Sequence, residues 1–183
     1  MNYASKDLRN EHEGIIFGLE ILEKMVEQIT KNGIYELSDL SKMINFLILF
    51  ADKCHHGKEE GLFFPAIIET GQSNYNPIIE QMLFEHTEGR KHLAEMQAAV
   101  DGVFKDPDFV KAADEYIELL RSHIMKENNI LFNIADDIIA EDKQLELLES
   151  FEEFEAEVMG KGTHENLHKM LDAFGEKYLM KSE

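Results

Sequence analysis

Histidine and glutamate stand four residues apart at two places in this chain, His55 with Glu59 and His123 with Glu127. On a helix that spacing puts both side chains on one face, a turn apart. An imidazole and a carboxylate so placed close on one metal ion or reach across to a second. The surroundings match as well. His55-His56-Gly57-Lys58-Glu59 runs on to Leu62, Phe63 and Phe64, and His123-Ile124-Met125-Lys126-Glu127 runs on to Ile130, Leu131 and Phe132. A single pair of this kind is commonly a surface contact worth a few tenths of a kcal/mol. Two of them on apolar rows are costly unless something satisfies them, and metal is the expected partner.

The elements that position these residues are helices. Apolar residues recur at three- and four-residue steps almost throughout, with no sustained strand-like alternation. A first helix is expected from about Ser5 to Thr30, its stripe formed by Leu8, His12, Ile15, Ile16, Leu19 and Leu22, and ended by Asn32-Gly33. A second starts near Ser38-Asp39 and carries Leu47, Ala51, His55, Glu59 and Phe63 in one row, with Pro65 bending its end. Pro77 suits the first turn of a third, which carries Met82, Leu83, His86, Gly89, Arg90, Leu93 and Met96. A fourth runs from about Asp106 to Ile139, with Leu119, His123, Glu127 and Leu131 in its row. Four long helices with short connections predict an all-α fold, an up-down-up-down four-helix bundle over 1–140. Residues 141–183 read as a C-terminal helical appendage: an acidic helix, a break at Gly160-Lys161-Gly162, and a last helix capped by Thr163.

Laid out by helix, the polar residues form a two-fold repeat. Helices one and three each offer a lone histidine, His12 and His86. Helices two and four each offer a His-x-x-x-Glu pair. Folding the halves together brings four imidazoles and two carboxylates into one core layer. That donor set suits iron, with manganese or zinc as lesser options. His56 and Glu60 also stand four apart, but their row contains Asp52. The cleaner apolar row assigns His55 and Glu59 to the site, and His56 and Glu60 to its edge.

Asn10-Glu11-His12, Cys54-His55-His56-Gly57-Lys58-Glu59-Glu60 leading to Phe63-Phe64-Pro65, Glu85-His86 with Arg90, and His123 to Glu127 with Phe132 resemble the hemerythrin-like cation-binding (HHE) family. The resemblance covers roughly the first 135 residues. It implies a four-helix bundle around a non-haem centre of two iron ions, ligated by His12, His55, Glu59, His86, His123 and Glu127, with the two glutamates bridging.

This chain departs from the oxygen-carrying members in having Arg90 where they have a further histidine, so one metal lacks its usual third imidazole. Its second acidic ligand, Glu127, stands where they have an aspartate one residue further along. The third imidazole is either missing or supplied from elsewhere, with His92, His164 and His168 as the candidates. His92 is expected to be exposed. His164 and His168 are expected on the surface of the last helix, with ligation as the alternative. Cys54 is expected to be a small core residue, and Phe50, Phe63, Phe64 and Phe132 a wall that keeps water from the metals.

The net charge of −19 leaves no basic surface to neutralise phosphates, which disfavours nucleic acid and anionic membranes as partners. Much of the acidity between Glu141 and Glu157 reads as a solvated helix face. No apolar run is long enough to span a bilayer, and the N-terminal residues have no apolar signal region. A single cysteine excludes an internal disulfide and points to a cytoplasmic setting. The leading expectation is a di-iron protein that binds dioxygen or nitric oxide for sensing, scavenging or delivery, with a separate redox or signalling protein as partner. Whether it is an enzyme stays open. Two alternatives stand beside it: a di-iron stress protein that repairs or protects iron centres, and a helical interaction module with structural metal.

Overall fold

The computed structural model describes residues 3–180, in which six helical rods follow one another with no strand among the described residues. The first, α1, is Ala4–Asn32. Its expected stripe is buried apart from half-buried Ile16, and Gly33 ends it in the left-handed conformation at φ 63°, donating its N–H to the Ile29 carbonyl. A residue with a Cβ meets steric resistance there, so glycine suits the stop.

The second rod, α2, spans residues 37–69 and is not a regular α-helix. α-Helical Leu37–Phe46 gives way to π-helical Leu47–His56, a second π segment covers Glu59–Phe63, and Phe64–Glu69 is α-helical again. Pro65 falls in the first turn of that last segment, so the rod continues through it. After a 3₁₀ turn at Ser73–Tyr75 comes α3, Asn76–Val100, with Pro77 in its first turn. The fourth rod, α4, spans 106–138: α-helical Asp106–Lys126, π-helical Glu127–Leu131, then α-helical Phe132–Ile138. The sequence led us to expect α-helical winding in both rods, with a bend at Pro65 near the end of the first of them. The π segments overlap the His/Glu pairs, where such windings tend to occur.

Two more rods complete the chain, α5 at Glu141–Met159 and α6 at Thr163–Tyr178. The expected Thr163 cap is not formed. Thr163 is already helical, and Gly162, at φ 82°, precedes it without a side-chain cap.

Two apolar clusters sandwich one polar layer. One holds Ala4 and Leu8 of α1, Phe63, Phe64 and Ile67 of α2, Ile79 and Met82 of α3, and Leu131, Phe132 and Ala135 of α4. The other holds Ile15 to Ile29 of α1, Leu40 to Cys54 of α2, Leu93 to Val100 of α3, and Phe109 to Ile124 of α4. Between them fall His12, His55, His56, Glu59, His86 and Glu127, with His123 at the boundary, all nearly fully buried. The last two rods share these clusters. Leu147 and Phe151 of α5 join the first, while Met159 and α6 residues Leu167, Leu171, Phe174 and Tyr178 join the second. Tyr178 also donates to buried Asp39 (2.7 Å), and a Cβ at Gly175 would lie 2.6 Å from the Phe17 ring.

Candidate metal centre

In the polar layer, histidine nitrogens face one another in pairs. His12 Nε2 lies 2.9 Å from His55 Nε2, and His86 Nε2 lies 3.1 Å from His123 Nε2. Each ring is oriented through its other nitrogen. His55 Nδ1 donates to Glu11 (2.7 Å) and His123 Nδ1 to Glu85 (2.9 Å). His12 Nδ1 donates to Asn128 (2.9 Å) and His86 Nδ1 to Glu60 (2.8 Å). With Nδ1 carrying the proton, the Nε2 lone pairs point inward, where only a proton or a cation between them relieves their repulsion. Carboxylates that fix the tautomer of a ligating histidine are a familiar outer layer of metal sites.

This outer layer repeats like the inner one. Glu11 precedes His12 in sequence but holds His55, and Lys58 donates to its other oxygen (2.6 Å). Glu85 precedes His86 but holds His123, and Lys126 donates to its other oxygen. The residues after the paired glutamates, Glu60 and Asn128, hold the lone histidines. Each helical hairpin thus braces one of its own two rings and lends one residue to a ring of the other hairpin.

Glu59 and Glu127 sit at the middle of the layer with no exposed surface, and none of their four carboxylate oxygens has a hydrogen-bond partner. Glu127 Oε2 lies 3.2 Å from both His12 and His123, and Glu59 lies 3.6 Å from His55 and 3.4 Å from His86, without hydrogen-bond alignment. Buried carboxylate oxygens left without donors are strongly disfavoured. Cations bound between the two glutamates would satisfy them all, so the donor set fits the paired metal ions that the sequence led us to expect.

Two groups of donors converge, each within 4.8 Å: His12, His55, Glu59 and Glu127, and His56, Glu59, His86 and His123. The six expected residues are therefore brought together, and a seventh joins them. His56 does not sit at the edge. It is 3% exposed and its ring stacks on His86 at 3.8 Å, with Nδ1 unpartnered. The reason lies in the backbone. In an α-helix His55 and His56 diverge by about 100°, whereas the π winding of Leu47–His56 turns less per residue and brings both rings inward.

Arg90, Glu60 and Asp52 form the bracing behind this side. Arg90 donates to Asp52 (2.7 Å) and to Glu60 (2.6 Å), whose same oxygen accepts from His86. The three histidines considered as replacements lie elsewhere. His92 pairs with Glu95 (3.1 Å), and His164 and His168 pair with each other beside Glu155. Of the expected aromatic wall, Phe132 stacks on His12 at 5.4 Å, Phe64 on His86 at 5.9 Å, and Phe63 meets Phe132 edge-on. Phe50 is an exception: its ring contacts are Phe46, His164 and His168. Cys54 is buried, and burial with the charge of Glu11 pushes its thiol up to about 12, so it stays protonated.

Electrostatics divide the layer. Burial, then neighbouring His12, brings His55 down to about 4, and burial with His86 and His123 holds His56 well below the usual imidazole range. Both are neutral at pH 7, as ligation requires. Burial opposes ionisation of Glu11, but the His55 N–H and the Lys58 ammonium outweigh it and bring the carboxyl to about 2. Burial and the charge of Glu127 push Glu59 well above the carboxylate range. Burial resists the charge on His123, yet Glu127 and Glu85 raise it to about 9, and its charge holds Glu127 well below the usual range despite burial.

Without metal, His123 therefore keeps a proton at neutral pH that a cation must displace, and burial beside Glu127 favours a proton on Glu59 as well. Metal binding is expected to release protons, with apparent affinity rising with pH up to about 9 as His123 gives up its proton. Calorimetric titrations in two buffers of different ionisation enthalpy measure this, and a binding heat independent of buffer would contradict it.

The hemerythrin HHE cation binding domain, compared as a family model, matches residues 4–135. Nothing among the curated proteins or the solved structures matches the chain.

Proposed function

The chain belongs to the hemerythrin HHE cation-binding family, and from that premise we propose that it holds two iron ions and binds dioxygen or nitric oxide. The observation that carries the metal part is the four buried, donorless oxygens of Glu59 and Glu127 between two facing histidine pairs. When bound, a ferrous pair supplies electrons to a diatomic ligand. The residues that hold it are His12, His55, Glu59, His86, His123 and Glu127, and we add His56 as the third imidazole on the His86–His123 side. That gives three imidazoles to one ion and two to the other. An ion held beside His12 and His55 would have the fewer imidazole donors, and that side is where a diatomic ligand would bind. Phe132, stacked on His12, and Phe63 against it keep that side apolar.

The reading of α1 to α4 as an up-down-up-down bundle is supported by the order in which each rod visits the two apolar clusters. α1 and α3 run from the first to the second, α2 and α4 from the second to the first. On this reading residues 1–140 form the bundle and 141–183 a helical extension docked on it. We place the protein in the cytoplasm, with a separate redox or signalling partner. No helix among the described residues is long and apolar enough to cross a membrane.

The test is spectroscopic. Protein loaded with ferrous iron under anaerobic conditions and then exposed to dioxygen or nitric oxide is expected to develop ligand-dependent absorption bands. Unchanged spectra with both gases, in a fully loaded protein, would leave the metal a structural role. Catalytic turnover of either gas, or of peroxide, would favour the stress-protection reading.

A further inference from the structure

Outside the polar layer one other pair of histidines faces nitrogen to nitrogen. His164 and His168 stand four residues apart on α6, with their Nε2 atoms 2.6 Å from each other and their rings stacked at 4.6 Å. His164 Nδ1 donates to Glu155 of α5 at 2.5 Å. That leaves its Nε2 lone pair aimed at His168. This is the arrangement of the buried centre on a smaller scale: converging Nε2 atoms, and a carboxylate that fixes the tautomer from behind.

The surroundings suit an exchangeable cation. An open cleft of about 960 Å³ runs along the pair, and its lining carries Glu152, Glu165 and Asp172 against Lys161 and Lys169. On the inner side a smaller cavity of about 220 Å³ lies between the pair and Asp7 and Glu11 of α1. The rings rest on Phe50, 5.6 Å from His164 and 6.0 Å from His168, which is itself 2% exposed. Glu155 cannot swing away freely, because its second oxygen accepts from Lys58 at 3.1 Å. An apolar floor and a braced carboxylate hold the two rings where they are, and carboxylates outnumber the lysines around them.

We propose that His164 and His168 form an outer site for one divalent transition-metal ion, bound through both Nε2 atoms, with Glu155 positioning His164. Two imidazoles on one tetrahedral ion at about 2.0–2.1 Å stand roughly 3.3 Å apart, so the rings open by under an ångström to receive it. Borderline nitrogen donors select zinc, nickel, copper or ferrous ions over calcium or magnesium. The proposal goes beyond the buried centre and does not depend on its occupant. Lys58 also holds Glu11, which holds His55, so three side chains link the outer site to the inner one.

The probe is zinc itself. Full-length protein with its buried centre loaded is dialysed to equilibrium against graded Zn2+, while retained iron is measured in the same samples. Wild type is expected to bind one further zinc per chain. His168→Ala, at an exposed position, is expected to fold with an unchanged melting temperature and to lose that equivalent. Glu155→Gln is expected to weaken it by about 10- to 100-fold, as loss of an orienting partner does. His92→Ala, which removes the half-buried histidine of the His92–Glu95–Glu115 group, is expected to keep it. An extra zinc that survives His168→Ala, disappears with His92→Ala, or never binds to the wild type overturns the proposal. Because iron is counted separately, failure here is distinguishable from failure of the buried centre.

Discussion

Removing the metal is expected to lower the melting temperature by on the order of 10 °C or more. The reasoning starts from Glu59 and Glu127, whose four oxygens are buried without donors. Each uncompensated buried polar group costs roughly 1–3 kcal/mol, and for a chain of this length about 2–4 °C accompanies each kcal/mol. Protons on Glu59 and His123 recover part of that cost in the metal-free protein, so the layer need not collapse. A ligand that binds only the folded state adds further stability in proportion to its concentration over Kd. Thermal unfolding followed by circular dichroism, before and after treatment with a chelator, measures the difference. Coincident transitions would mean that the layer is satisfied without metal.

The second large effect is a graded loss of metal. Glu59 belongs to both donor groups, whereas His56 belongs to one. Glu59→Gln keeps the shape of the side chain but removes its charge and one acceptor oxygen, and is expected to empty both positions. His56→Ala is expected to cost only the ion beside His86 and His123, leaving about half the metal of the wild type. Reading His56 as an edge residue predicts no loss at all, so metal content in this one variant separates the two placements. Elemental analysis of variants loaded in parallel gives the answer directly.

Much of this centre was legible before any coordinates. The doubled His-x-x-x-Glu spacing, on rows that were otherwise apolar, led to the six residues that the fold brings into one layer. The helix ends at Gly33, Pro77 and Gly160-Lys161-Gly162 were readable for the same kind of reason: each is a local backbone preference that packing does not override. His56 was missed because the reading assumed α-helical geometry. The switch to π winding at Leu47 has no signature in single-residue propensities, and it changes which face a residue shares.

The bracing residues were missed for a different reason. Glu11, Glu85, Glu60 and Asn128 each act on a histidine of another helix, so their roles follow only from tertiary placement. A signal was nonetheless present: a glutamate directly precedes each lone histidine, as Glu11-His12 and Glu85-His86, and each paired glutamate is preceded by lysine. Arg90 shows the converse. Sequence treated it as a lost ligand, while in the fold it anchors the carboxylate that orients His86.

The most direct test of the central claim is the iron content of the wild-type protein, purified and loaded without oxygen, with Glu59→Gln carried through the same steps. Two iron ions held between Glu59 and Glu127 predict two per chain in the wild type and close to none in the variant. A wild type that saturates at one ion per chain, or a folded Glu59→Gln variant that retains both, would contradict the account.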